Sequence, residues 1–478
     1  MLRYRLLLFL SLLLAGCTLG PTYQPPEPAL PAAFKGEGPW RLAEPRDNLA
    51  RGDWWQIFDD PGLNDLMSQA MAENPGLQSA LSRVAQARAG LSVSRADRYP
   101  QFDLNASANR SRTSGGLAPT GVGGTNTFID LPVDLGYEVD LWGRVQRSVE
   151  AAQAELEAGM ADYHSARLSL QAEVARTWFS LRTLDSELVL LEGTIDLRRE
   201  NLRLVSSRFQ AGESSKLALQ RAQTELATAE AEVQAVARSR TGLEHALAAL
   251  TGQAASGFKL ARSPLDLAPP VVAAGLPSAL LERRPDVAAA ERRMAAANAR
   301  IGIAHAAFYP DLRIFGSAGF QSVGTSDILD WDSRIWGLGP SLSLPLFDGG
   351  RNRANLQRAE AVWNEVAAAY RQQVLAAIGE VEDGLSSLHY LDRQADFLQK
   401  AVDSSAGAAE LSRKRYRAGM VSYLEVVDAE RTLLQAQRQA VRLLGQQLDS
   451  SVFLIKALGG GWDERSSTGS QDSFASES

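Results

Sequence analysis

Ile129-Asp130-Leu131-Pro132-Val133-Asp134-Leu135-Gly136-Tyr137-Glu138-Val139-Asp140-Leu141 alternates without a slip, apolar at every odd position and acidic or small at every even one. A side-chain period of two belongs to a β-strand, so this stretch predicts one apolar face and one acidic, polar face. Upstream, Gln101 to Ser107 and a little beyond does the same: Phe102, Leu104, Ala106 and Ala108 alternate with Asp103, Asn105, Ser107 and Asn109. The Gly-rich stretch Ser114 to Gly124 reads as the hairpin loop between the two. The commoner use of such a pattern is a soluble sheet with one face on a core. Against it, the sequence offers no second layer of matching strands, and the flanking helices are too long to fold back as a compact cover.

Those helices begin at Trp142-Gly143-Arg144, after which no proline occurs until Pro264. Leu170, Val174, Leu181, Leu184, Leu188, Leu191, Ile195, Leu202, Val205 and Phe209 recur at threes, fours or their sums, which is a heptad seam. A single helix over 143–209 rises roughly 100 Å at 1.5 Å per residue. Ala211-Gly212 breaks it, and a return helix is predicted from about Ser214 to Leu250. Ahead of the strands, a helix from Leu63 leads into an alanine-rich one opened by Asn74-Pro75 and closed by Tyr99-Pro100.

The same sequence of elements then recurs. Arg284-Pro285 opens and Tyr309-Pro310 closes a second alanine-rich helix, displaced by 210 residues. Arg208-Phe209-Gln210-Ala211-Gly212 returns as Arg415-Tyr416-Arg417-Ala418-Gly419, displaced by 207, and Leu217 matches Leu424. Leu312, Ile314, Gly316, Ala318 and Phe320 predict one face of a third strand, and Leu338, Leu342, Leu344 and Leu346 are assigned to a fourth. A long helix from Arg351 to Tyr416 and a return helix to Leu458 complete the copy. The expected organisation is a signal peptide at 1–16, an extended arm at 17–62, a first repeat at 63–262, a second at 263–458 and a flexible tail at 459–478. Seven prolines between Pro21 and Pro45 argue for the extended arm, pinned at its end by Trp54, Trp55 and Phe58.

The N-terminus sets the compartment. Arg3 and Arg5, an apolar run from Leu6 to Ala15 and then Leu14-Ala15-Gly16-Cys17 form a secretory signal with a small-residue cleavage site. It resembles the bacterial lipoprotein box, which implies cleavage before Cys17, lipid on its sulfur and amino group, and, with Thr18 rather than Asp next, sorting to the outer membrane. Cys17 is the only cysteine, so no intramolecular disulfide forms. Beyond Gly16 no uncharged apolar run reaches 18 residues, so any bilayer crossing falls to strands. Loss of the signal leaves 47 basic residues against 56 acidic ones, a balance that argues against nucleic acid as a partner.

Four strands cannot close a barrel, and an open sheet edge has no partner in hydrocarbon. Other copies of the chain must complete it. Two copies give eight strands and an interior filled by side chains; three give twelve and a passage, which suits an acidic inner face. The expected fold is an internally duplicated α+β membrane protein: a homotrimer with a 12-stranded antiparallel β-barrel in the outer membrane, continued into the periplasm by a long α-helical coiled-coil barrel.

Leu276-Pro277-Ser278-Ala279-Leu280-Leu281-Glu282-Arg283-Arg284-Pro285-Asp286-Val287, followed by Ala290-Glu291, resembles the hallmark segment of the TolC-like outer-membrane efflux proteins, in their lipoprotein NodT-like branch. Trp54-Trp55-Gln56-Ile57-Phe58-Asp59-Asp60-Pro61, the two Tyr-Pro helix ends, Asp348-Gly349-Gly350-Arg351 and Ala457-Leu458-Gly459-Gly460-Gly461-Trp462 are similar to that branch as well. The resemblance implies a trimeric channel docking with a periplasmic adaptor and an inner-membrane pump of the RND type, lodged in outer-membrane lipid, to expel drugs or other small molecules. It also implies a periplasmic gate at Tyr423-Leu424-Glu425-Val426-Val427-Asp428-Ala429-Glu430-Arg431. Leu424, Asp428 and Arg431 are spaced to share one helical face with Glu425 beside them, so a trimer would carry an apolar plug, an acidic ring and clasps from Arg431. Adaptor contact at the tips Ala211, Gly212, Ala418 and Gly419 is implied in the same way, although these are first of all helix C-caps.

No catalytic pattern is found and no cofactor is expected. His164, His245, His305 and His389 stand apart, and no metal-ligand spacing occurs. Gly316-Ser317-Ala318-Gly319 lacks nucleophile-elbow spacing, and the Gly-rich loops lack the Lys and hydroxyl of a phosphate loop. Two rival readings are the outer-membrane conduit of a type I protein secretion system and a non-transporting coiled-coil lipoprotein.

Overall fold

The computed structural model describes residues 19–24, 53–114, 116, 123–270, 272 and 284–460. The expected signal peptide, Cys17, most of the arm, residues 115 and 117–122 of the Ser114–Gly124 loop, Leu276 to Arg283 and the tail from Gly461 lie outside the described residues. The chain forms two compact units, each drawing on both halves of the sequence: Met1–Glu27, Arg83–Met160 and Ala289–Arg371 in one, Pro28–Ser82, Ala161–Ala288 and Gln372–Ser478 in the other.

The helices follow the punctuation of the sequence. In the first half α1 spans Pro61–Glu73, α2 Pro75–Ala96, α3 Arg144–Gln210 and α4 Lys216–Leu250. In the second, α5 spans Pro285–Ala306, α6 Arg351–Arg417 and α7 Tyr423–Ala457. The arm is not extended to its end: a 3₁₀ turn runs over Trp54–Phe58, and α1 starts two residues before Leu63, with Asp60 capping the Leu63 amide. None of the described helices is long and apolar enough to cross a membrane.

The first unit holds one antiparallel sheet. Its strands are β1 (Gln101–Leu104), β2 (Ser107–Thr113), β3 (Gly124–Val139), β4 (Asp311–Val323) and β5 (Arg334–Ser343). β1 and β2 lie end to end along one side of β3, so the sheet is four strands wide, in the order β1/β2, β3, β4, β5. The register does not slip between them, because Gln101 faces Gly136 and Ser107 faces Asp130. The interruption has a simple cause. Asn105 donates its amide to the Pro132 carbonyl at 3.0 Å, and proline has no N–H to return. On its other side Pro132 faces Gly319, where an added Cβ would stand 2.1 Å from the Leu131 carbonyl oxygen, so this crossing requires glycine.

One strand differs from its expected extent. Leu344 and Leu346, assigned to the fourth strand, lie beyond β5, which ends at Ser343. Its partner β4 starts at Asp311, opposite Ser343, directly after the turn that follows α5, so the ladder has nothing to pair with further on. Residues 19–24 of the arm are fastened beside the sheet: Arg147 and Asn298 donate to the carbonyls of Leu19 and Pro21 at 3.1 and 3.0 Å. Gly20 sits against Gly302 so closely that a Cβ would come within 2.6 Å of its Cα.

In the second unit the heptad seam of α3 is the core. Val174, Leu181, Leu188, Leu191, Ile195 and Val205 are buried, while Phe209 emerges at the tip. Trp54, Phe58, Leu63 and Met67 pack on Trp178, Phe179, Leu247, Leu448 and Val452. The indole nitrogens are satisfied: Trp54 donates to Gln171 at 3.0 Å and Trp178 to Asp60 at 2.7 Å. The duplication is visible as paired contacts. Asn74 and Arg284, each just before the proline of its alanine-rich helix, donate to the last carbonyl of the return helix, Leu250 at 2.9 Å and Ala457 at 3.0 Å.

Candidate functional site

The two tips are built by the same hydrogen bonds. At the end of α3, Gly212 (φ 75°) donates to Phe209 and Glu213 to Arg208; at the end of α6, Gly419 (φ 72°) donates to Tyr416 and Met420 to Arg415. This is the Schellman pairing, which satisfies terminal carbonyls and requires the left-handed backbone that glycine adopts without strain. All four tip residues named from the sequence, Ala211, Gly212, Ala418 and Gly419, are exposed. Arg208 joins the tips by stacking on Tyr416, 4.7 Å from the ring centre, and donating to the carbonyls of Tyr416 and Arg417.

From the second tip α7 sets out with two distinct faces. Tyr423, Val426 and Val427 are buried in a cluster with Val205, Ala222 and Tyr416. Leu424, Glu425, Asp428 and Arg431 all lie on the other face and are exposed, Leu424 to 50%. The four predicted gate residues thus form one stripe, in which Arg431 reaches a charged partner on another helix: its Nε is 3.8 Å from Glu225 on α4. Glu225 is itself held by Arg198 of α3 at 3.1 Å.

Sequence reading did not single out Glu430. It turns away from the exposed stripe and receives both bonds of the Asn201 amide of α3, at 3.3 and 3.2 Å. Burial pushes its carboxyl up, against the opposing pull of Asn201, Arg413 and Arg198. Burial, with Glu430 and Glu225 nearby, pushes the Tyr423 hydroxyl up to about 12. The signal was present in the sequence: Tyr423, Val427, Glu430 and Leu434 follow one another by four, three and four, so the carboxylate falls in an apolar seam.

Farther along, α7 is riveted to α3. Glu187, whose side chain is 1% exposed, takes Arg438 at 2.5 Å and Arg442 at 2.8 Å. Burial alone would raise its carboxyl, but the two guanidiniums outweigh it and hold the group below the usual carboxylate range. Arg176 pairs with Asp449 through two bonds, at 2.5 and 3.1 Å. At Gly445 the helices are so close that an added Cβ would lie 2.3 Å from the Thr183 hydroxyl.

A family profile described as outer membrane efflux protein matches this chain twice, over residues 66–253 and 276–460. The chain belongs to the outer membrane efflux protein family. It is 34% identical to outer membrane protein OprJ of Pseudomonas aeruginosa over 469 residues, 96% of this chain and 95% of that one. It is equally 34% identical to the toluene efflux pump outer membrane protein TtgI of Pseudomonas putida, over 95% of this chain and 97% of that one. Among solved structures, the outer-membrane channel OprN superimposes with a TM-score of 0.86 at 32% identity, covering 93% of this chain and all of that one.

As an outer membrane efflux protein, the chain has its place in the outer membrane and its role in a channel for efflux. Its long helices and apolar-faced antiparallel sheet are the architecture shared with OprN. Among the described residues no group of three or more His, Cys, Asp or Glu is arranged to hold a metal. His164 is packed against Tyr163, and burial together with Arg167 lowers its imidazole to about 4.

Proposed function

We propose that three copies of this efflux protein close a 12-stranded barrel and act as the passive conduit of a tripartite assembly, with a periplasmic adaptor and an inner-membrane pump. One observation carries the reading. The sheet has an apolar face, an acidic face and two long edges, β1/β2 and β5, that pair with no described strand of the chain. In hydrocarbon such edges need partners, and the β5 edge of one copy is complementary to the β1/β2 edge of the next. On this reading the two repeats are 63–262 and 263–458, the chain is not an enzyme, and Cys17 carries lipid.

The exposed stripe of α7 is the gate. Rings of Leu424, Glu425 and Asp428 narrow the periplasmic end, while the ion pair of Arg431 with Glu225 and the bond of Asn201 to Glu430 hold α7 against α4 and α3. Opening displaces α7 and breaks both. The tips at Ala211, Gly212, Ala418 and Gly419 receive the adaptor, their small side chains allowing close approach. The cargo is drugs, solvents or other small molecules selected by the pump, a class to which the toluene of the TtgI system belongs.

Single-channel recording in planar bilayers tests the gate. Asp428→Ala with Glu425→Ala is expected to raise conductance several-fold, and conductance equal to that of the unaltered protein would remove these residues from the gate.

A further inference from the structure

The sheet keeps the carboxylates of its strands to one face, and the one strand arginine there, Arg313, is paired with Asp311 at 2.7 Å. Directly opposed residues share a face, so the register puts Asp103, Asp130, Asp134, Glu138 and Asp311 on one face. On the opposite face, shared with Leu131, Leu135, Trp336 and Leu338, stand Arg110 (opposite Thr127), Arg112 (opposite Thr125) and Arg334 (opposite Phe320). No carboxylate of a described strand residue lies on this apolar face. Among the described residues none of the three arginines forms an ion pair, although Asp327, Asp330 and Asp332 lie in the loop before Arg334, so on a lipid-facing surface all three are open to anionic partners from outside the chain.

Their height identifies the partner. Arg110 and Arg112 lie eight and ten residues along the edge from Phe102, toward the end of the sheet turned away from the helices. At about 3.3 Å per residue and a tilt of about 40°, they stand roughly 20–25 Å above Phe102. That is the height of a barrel's apolar band, about 25 Å, so both guanidiniums emerge where hydrocarbon gives way to headgroups. Arg334 begins β5 at the end of that strand turned away from the helices, in register with Phe320 and Leu131, four residues along β3 from the partner of Arg110. It donates to the Trp331 carbonyl at 2.7 Å and stacks over its indole at 4.3 Å, with Trp331 and Trp336 73% and 80% exposed. Trp331, in the turn beyond the strand, is an exposed indole of the kind that marks the membrane interface.

We propose that Arg110, Arg112 and Arg334 form a docking surface for the phosphorylated headgroups of glycolipid in the outer leaflet. It rests on the barrel reading: closure brings the β5 edge of one copy beside the β1/β2 edge of the next, so the three arginines share a seam. A guanidinium binds phosphate through two parallel hydrogen bonds, which a lysine at the same place does not reproduce. The lipid then clasps two neighbouring copies where they meet.

The test is lipid titration of the full-length protein, followed by native mass spectrometry, with bisphosphorylated lipid A, dephosphorylated lipid A and inorganic phosphate as probes. Bisphosphorylated lipid A is expected to bind at least about ten-fold more tightly than the dephosphorylated form, and loss of each arginine to glutamine to weaken it by roughly five-fold. The lumenal variant Asp103→Asn with Asp134→Asn is expected to bind as the unaltered protein does. Equal affinity for the two lipids, or unchanged binding by Arg110→Gln/Arg112→Gln/Arg334→Gln, would overturn the proposal. Displacement of the lipid by millimolar phosphate would do so too, since it would reveal a free-anion site. If the glutamine variant does not assemble, the comparison of the two lipids on the unaltered protein decides. Failure of the barrel itself shows separately, as the absence of a trimer before any lipid is added.

Discussion

Glu187 illustrates what a buried charge does in this fold. It is enclosed by α3 and α7, and two arginines reach it from one face of α7. Glu187→Gln would leave both guanidiniums without their anion, at a cost of about 2–4 kcal/mol of stability, read as a lower melting temperature. The sign with pH follows from its depressed carboxyl. The contribution is present above the carboxylate's unfolded pKa and is lost as pH falls through the lower folded value. The gap between unaltered protein and variant should therefore close on acidification; a gap independent of pH would contradict the pairing. Gly445 is the steric counterpart. Gly445→Ala puts a methyl into the Thr183 side chain, at a cost of about 1–3 kcal/mol, and Thr183→Ala is expected to restore part of it in a thermal melt. Neither residue was legible in the sequence, because each acquires its meaning from a residue on a different helix.

Elements were legible where prolines and glycines punctuate the chain. Both alanine-rich helices start at their prolines, and the two long helices end at the Ala-Gly pairs that recur at an interval of 207 residues. The end of β5 was not legible, since Leu344 and Leu346 continue the alternation while the strand stops for want of a partner. The exposed stripe of Leu424, Glu425, Asp428 and Arg431 on α7 was legible as one helical face, whereas Glu430 on the opposite face was signalled only by its place in the apolar seam of Tyr423, Val427 and Leu434. Because burial raises its carboxyl, the folded tip binds a proton more readily than the unfolded chain, so acidification through that raised value adds stability. Glu430→Gln, whose amide oxygen still accepts from Asn201, is expected to raise the melting temperature at neutral pH and to flatten its rise on acidification. A variant that retains the full pH dependence would show that another group is responsible.

At the scale of the molecule, the chain carries a deficit. Four strand widths with an apolar face and two unpaired edges cannot be a finished object in a bilayer, and the long helices do not cover them. The structure keeps that deficit, with β1/β2 and β5 as edges, and confines the strand carboxylates to one face, where Arg313 pairs with them, while Arg110, Arg112 and Arg334 stand on the other. What the sequence could not convey was the interleaving of the repeats, each compact unit taking segments from both, because that depends on contacts between residues about 200 positions apart.

The most direct test is the mass of the folded particle extracted from outer membranes in mild detergent, measured natively before and after heating. Three chains that fall apart on heating, and that conduct ions only when together, are the expected result. A single chain that stays folded in lipid and conducts on its own would contradict it.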